Sequence, residues 1–136
     1  MEESMEIRKY ELEDEHAVME MIKNEGEEWR SYWADENQTK YRHALRYSIT
    51  YIAVENDEVC GYIRALDDMG FYIYVCDLLV TGKYRGGGIG RHLMERLTMD
   101  YPDQTVYVMS DVDEYYQKLG YPIIGSILEV QPRQKI

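Results

Sequence analysis

Apolar positions cluster most densely at residues 71–80, where Asp77 alone interrupts a run of aromatic, branched and aliphatic side chains. That composition makes it the most strand-like segment of the chain. Residues 48–54 alternate and are rich in branched and aromatic types, and Asn56-Asp57 then supplies turn chemistry before a second apolar run at 59–66. The two runs read as a hairpin, and residues 67–70 make the next turn into the central strand. Helical spacing takes over at 89–99, where Ile89, Leu93 and Leu97 lie one turn apart ahead of Pro102. A strand at 105–109 follows. Asp111 then precedes Glu114 by three residues in a capping arrangement, and Val112, Tyr115, Tyr116 and Leu119 fall on one helical face that ends at Gly120.

The flanks are simpler. Residues 6–10 read as a first strand and 14–23 as a helix with Val18, Met21 and Ile22 inward. Residues 27–47 form a second helical stretch with a break, bearing Trp29, Tyr32, Trp33, Tyr41, Ala44 and Leu45, and 123–130 form one or two final strands. The order βααβββαβαβ predicts a mixed α/β fold with parallel pairing late in the chain, where helices join successive strands.

Length and charge narrow what such a fold can bind. The 136 residues suit one domain, and no uncharged stretch approaches a bilayer span. The acidic start lacks the features of a secretory signal, so a cytoplasmic location is expected. A formal net charge of −11 argues against nucleic acid or an anionic membrane as partner. Cys60 and Cys76 both fall within strands and read as buried thiols, and no Cys/His spacing suggests a metal.

Against that acidic background, Lys83, Arg85 and Arg91 gather around the turn Arg85-Gly86-Gly87-Gly88-Ile89-Gly90, between the central strand and the next helix. Three consecutive glycines leave backbone N–H groups unshielded, and the helix N-terminus adds its own free donors and partial positive charge. The turn therefore suits a pyrophosphate. Gly90 is followed by Arg91 and His92 rather than Lys and Ser/Thr, which excludes a P-loop. The dinucleotide fingerprint would place Arg91 where its third glycine belongs.

What remains is Arg85-x-x-Gly88-x-Gly90 at a strand-to-helix junction, which resembles the central motif of the GCN5-related N-acetyltransferase (GNAT) family. Ile7-Arg8-Lys9-Tyr10 is similar to that family's first strand, and Tyr115-Tyr116-Gln117-Lys118-Leu119-Gly120-Tyr121 to its late motif of paired aromatics. Gly82 stands where many relatives carry proline.

The resemblance implies an α/β acyltransferase fold, a mixed central sheet of about six to seven strands flanked by about four helices. It implies acetyl-CoA as co-substrate, with the backbone of Leu78, Leu79 and Val80 pairing the pantetheine arm. Arg85, Gly86, Gly87, Gly88, Ile89, Gly90 and Arg91 would hold the pyrophosphate, and a backbone N–H near Leu79 or Val80 would serve the oxyanion. Tyr116 matches the family's catalytic tyrosine, although its helical stripe alone would make it a core aromatic. Asp77 is either the general base or a buried structural carboxylate, with Glu27 and Glu28 as alternative bases.

Direct transfer to a primary amine of a small molecule or peptide is the activity this implies. The alternative is a non-catalytic acetyl-CoA-binding module acting on a protein partner. The cluster Glu25, Glu27, Glu28, Trp29, Tyr32, Trp33, Asp35 and Glu36 suits a cationic acceptor, or else simply packs a helix onto the sheet. Whether the last strand is completed within the chain or by a partner stays open, as does whether the chain forms a homodimer.

Overall fold

The computed structural model describes residues 5–133; the acidic start, residues 1–4, lies outside the described residues. Five strands form one sheet in chain order: β1 (Met5–Lys9), β2 (Ile49–Glu55), β3 (Glu58–Asp67), β4 (Tyr72–Val80) and β5 (Thr105–Val108). The first four run antiparallel, and β5 joins β4 in parallel. Helices α1 (Glu15–Asn24), α2 (Arg30–Trp33) and α3 (Gln38–Tyr47) precede β2; α4 (Ile89–Asp100) crosses over from β4 to β5, and α5 (Asp113–Lys118) follows. The α/β fold, the hairpin and the late parallel pair agree with the sequence pattern. At the hairpin, Asn56 and Asp57 both take positive φ, 53° and 63°, the turn type whose twist matches its flanking strands.

Both faces of the sheet are covered, which is why its strands read as nearly continuous apolar runs. On one face Tyr51, Ala53, Ile63, Ala65, Ile73 and Val75 pack with Leu93 and Leu97 of α4 and Tyr116 of α5. On the other, Ile52, Tyr62 and Leu79 meet Val18 and Ile22 of α1 and Tyr41 and Leu45 of α3.

The expected break in the second helical stretch is formed, and one expectation changes. The helical stretch at 27–47 divides into a 3₁₀ turn, α2 and α3, because Ala34 adopts an extended ψ of 144°. The strands expected at 123–130 are not formed among the described residues, so the sheet has five strands rather than six to seven. A strand exists only through a neighbour's backbone, and residues 123–130 join no ladder of the sheet. Cys60 is buried and Cys76 half-buried, both as free thiols.

The entry to α1 is fixed by one carboxylate. Both outer nitrogens of Arg8 donate to buried Asp14 at 2.9 Å, and the Glu11 N–H adds a bond of 2.8 Å. Burial works against the Asp14 charge, but these donors prevail and hold its carboxyl below the usual range. We predict that Asp14→Asn costs about 1–3 kcal/mol at neutral pH. Because the folded-state value is depressed, this stability is present above the ordinary pKa of about 3.9 and is lost as pH falls through the folded value. Urea unfolding should show the gap between wild type and variant closing in acid; a gap independent of pH would refute the assignment.

Candidate active site

The site is built where β4 and β5 part. Their ladder runs from Tyr72 opposite Thr105 to Val75 opposite Val108 and closes with the Met109 N–H on the Val75 carbonyl at 3.0 Å. β4 then continues to Val80 paired only with β3. At the same point the pairing with β3 steps from Ala65 opposite Val75 to Arg64 opposite Asp77, so Cys76 is an extra residue, a β-bulge. The bulge exchanges the faces of the strand. Ile73 and Val75 point to the α4 layer, whereas Asp77 and Leu79 point to the α1–α3 layer.

Backbone direction beyond the bulge follows from alternation. The Thr81 N–H donates to the Cys60 carbonyl of β3 at 2.9 Å, so Val80 turns its own groups away from β3. Arg85 Nε donates to the Val80 carbonyl at 2.8 Å on that side. Leu78, two residues back, faces the same way, while Leu79 between them is opposite Tyr62. The cleft thus offers the peptide groups of Leu78 and Val80 to an extended ligand, as a sheet edge does to an added strand.

This edge leads into the glycine turn. Gly86 and Gly88 take φ of 87° and 84°, values that favour glycine, and Gly88 is the left-handed cap of α4. His92 donates to the Gly88 carbonyl at 3.0 Å, leaving the N–H groups of Ile89, Gly90 and Arg91 as the helix's free first-turn donors. Gly87 has no positive φ, and a side chain there would meet only the Tyr84 carbonyl at 3.7 Å. Gly90 is constrained differently, since any side chain would collide with the Tyr115 hydroxyl and touch Leu78.

Each basic side chain of the turn has a carboxylate partner: Lys83 with Glu58 at 3.6 Å, Arg91 with Glu95 at 3.2 Å, and Arg85 with Glu25 just beyond α1. Arg85 therefore ties the cleft edge to the loop before α2. The sequence pattern did not disclose this tie, because Glu25 and Arg85 are 60 residues apart.

The two candidate catalytic residues lie on opposite faces of β4. Asp77 is buried and accepts from Tyr32 Oη at 2.8 Å, Tyr41 Oη at 2.7 Å and Arg64 Nε at 2.6 Å. The Tyr41 and Tyr62 hydroxyls lie 2.6 Å apart, and Arg64 also reaches Ser48 Oγ at 3.2 Å. Burial, then the Asp77 contact, pushes the Tyr32 phenol up to about 12. Sequence reading passed over Arg64; a charge at an inward position of an apolar strand was the available signal.

Tyr116 is 9% exposed and belongs to the α4-side layer that Leu78 and Val80 also join. Its hydroxyl has no hydrogen-bond partner among the described residues, and burial raises its pKa to about 12. It is a neutral phenol with a free proton at physiological pH. Tyr115 meets it edge-on, ring centres 5.0 Å apart.

At the cleft's other border, Trp29 and Trp33 are half-buried on the α1–α3 layer, and Trp29 lies 5.7 Å from Tyr32. Glu27 and Glu28 are exposed. No group of His, Cys, Asp and Glu among the described residues could hold a metal ion.

Comparison with known proteins bears on the family and the fold. Residues 12–121 match the Acetyltransferase (GNAT) family. A curated relative, "Histone acetyltransferase TAP1" of Glycine max, is 32% identical over 84 residues, 58% of this chain and 36% of that protein. The chain thus spans about a third of that relative's length. Among solved structures, the GNAT family protein SP0256 of Streptococcus pneumoniae TIGR4 superposes with a TM-score of 0.72 at 23% identity, covering 96% of this chain and 100% of that one. Aminoglycoside N-acetyltransferase AAC(6')-Iy, solved with CoA, gives 0.77 at 14% identity with 98% of each chain covered. The chain belongs to the GNAT acetyltransferase family.

Two predictions follow from the turn. Gly87→Val should weaken coenzyme A binding on the order of 100-fold by blocking the approach to the free amides, a loss of about 2.7 kcal/mol. Its melting temperature should stay unchanged, because the backbone there is unstrained; unaltered affinity in calorimetry would remove the turn from the site. Glu25→Gln should tighten coenzyme A binding several-fold, since Arg85 no longer has to leave a carboxylate to meet a phosphate. Weaker binding would show that Glu25 holds Arg85 in its productive place.

Proposed function

We propose that the protein is an acetyl-CoA-dependent N-acetyltransferase that passes the acetyl group directly to a primary amine of a small molecule or peptide. The observation that carries this reading is the uninterrupted run from the β4 edge beyond its ladder with β5, where Leu78 and Val80 face away from β3 and Arg85 holds the Val80 carbonyl, into the donors of the glycine turn. That run matches a ligand with an amide-bearing arm ending in a pyrophosphate. In the reaction the neutral amine adds to the thioester carbonyl to give a tetrahedral oxyanion, the nitrogen's surplus proton passes to water or to exposed Glu27 or Glu28, and collapse of the oxyanion breaks the C–S bond and leaves the charge on sulfur. A backbone N–H of the parted edge is suited to the oxyanion, and the Tyr116 phenol to protonating the leaving thiolate.

Asp77 enters this scheme as a positioning residue. Arg64 and two tyrosines already occupy its oxygens, so taking a proton would mean weakening a buried ion pair. Its work is to fix Tyr32 at the acceptor border. For the acceptor, a cationic amine is favoured by the aromatic faces of Trp29 and Tyr32 beside exposed Glu27 and Glu28. Similar proteins are named for histone and aminoglycoside acetylation, which accords with that class.

Thiol release from acetyl-CoA, measured over a panel of amines, tests the scheme. Tyr116→Phe should lower kcat on the order of 10²- to 10⁴-fold with coenzyme affinity little changed. Asp77→Asn should lower kcat while leaving the acid limb of the pH–rate profile in place. Loss of that limb would instead identify Asp77 as the base. Coenzyme binding with no turnover on any amine would assign the chain to the non-catalytic class.

A further inference from the structure

Between Glu36 and Glu55 the sequence has no acid, yet it carries Lys40, Arg42, His43 and Arg46. Without those three Lys and Arg residues, 12 bases face 26 acids in the rest of the chain, a balance of −14. Helix α3 gathers all four basic side chains on its solvent side. Tyr41 and Leu45 are buried, Lys40, His43, Arg46 and Tyr47 are exposed, and Arg42 is half-buried. At the helical repeat, Lys40, Tyr47, His43, Arg46 and Arg42 follow one another around the outward half of the helix. The His43 and Tyr47 rings lie 4.4 Å apart, and Tyr47 is 74% exposed.

The stability of the helix does not account for this charge. A helix dipole favours a cation in the last turn, which holds Arg46, but Lys40 stands in the first, where a cation is unfavourable. Arg42 and Arg46 are like charges four residues apart, a spacing at which they repel. One carboxylate serves both. Glu15 of α1 lies 3.6 Å from Arg42 Nε and 3.4 Å from an outer nitrogen of Arg46, and it also accepts from Tyr10 Oη at 3.4 Å. Arg42 Nε is buried without a hydrogen-bond partner, and Lys40 has no ion pair among the described residues. Asp35 and Glu36 precede the helix, and Asp35 accepts from Gln38 at 3.4 Å.

We propose that the outward face of α3 is a docking surface for a short acidic segment of a partner protein. Carboxylates laid there give Lys40 the counter-charge it lacks and relieve the repulsion between Arg42 and Arg46. Arginine and tyrosine are side chains that interfaces favour, and Tyr47 sets an aromatic anchor beside the charges. Size selects the class of partner. Lys40 to Arg46 spans about 9 Å at roughly 1.5 Å per residue. Duplex nucleic acid carries a charge about every 1.7 Å along its whole length, so it would run past this strip onto surface that repels it. A peptide bearing only a few carboxylates ends within the strip. A second copy of the chain also has acidic segments, but its net charge of −11 opposes the approach. None of the four basic side chains belongs to the coenzyme cleft, so docking can be tested apart from acetyl transfer.

Titration of isotope-labelled protein with hexaglutamate at low ionic strength, read by amide chemical shifts, tests this. The expected result is saturable binding, with shifts centred on α3, that weakens as salt is added. The double substitution Lys40→Gln with Arg46→Gln should lower the affinity roughly fivefold to tenfold. Lys23→Gln, which removes an exposed base of α1, should not, and both variants should keep their coenzyme A affinity. Absence of binding overturns the proposal, as do shifts centred on the glycine turn or equal affinity in the double variant. So does tighter binding of hexathymidylate, which would make the surface one for phosphate. Self-association abolished by the same double substitution also overturns it, because a second copy would then be the occupant.

Discussion

One extra residue in β4 decides what each wall of the cleft contains. Without the bulge at Cys76, Val75, Asp77 and Leu79 would continue on one face. Asp77 would then be driven into the apolar layer beneath α4, far from Tyr32, Tyr41 and Arg64. With it, the carboxylate meets its donors and Leu78 turns toward α4. A one-residue register change inverts a strand, and here the inversion is confined to the half of β4 beyond its ladder with β5.

That arrangement places a charged pair where charge is expensive. Arg64 and Asp77 are both largely withdrawn from water, and their attraction must offset a desolvation penalty of several kcal/mol for each ion. Two phenols and Ser48 complete the shell, so each partner is held by more than the other. The polar core is therefore also a clamp: β3, β4, α2 and α3 all contribute to it, and Tyr32, its outermost ring, inherits their rigidity.

Much of this was legible in the chain. The hairpin followed from Asn56-Asp57, the cleft-forming strand from the run at 71–80, and the cap of α4 from its glycines. The bulge was not, because Cys76 carries no local signal for it; it results from where Arg64 and Asp77 pair. Nor was Glu25 bound to Arg85, since an ion pair across 60 residues exists only once α1 and the turn are packed. The expected closing strand misled for a related reason: residues 123–130 have a strand's composition, but composition does not supply the neighbouring backbone.

The contact between Tyr115 and Gly90 has a further consequence. The glycine motif and the paired aromatics look like two separate signatures, one for phosphate and one for the proton. Yet the hydroxyl of Tyr115 occupies the volume that any side chain at position 90 would need. The two positions share one space, so across related sequences a larger residue at 90 should be accompanied by a smaller one at 115, and the motifs should drift as a pair.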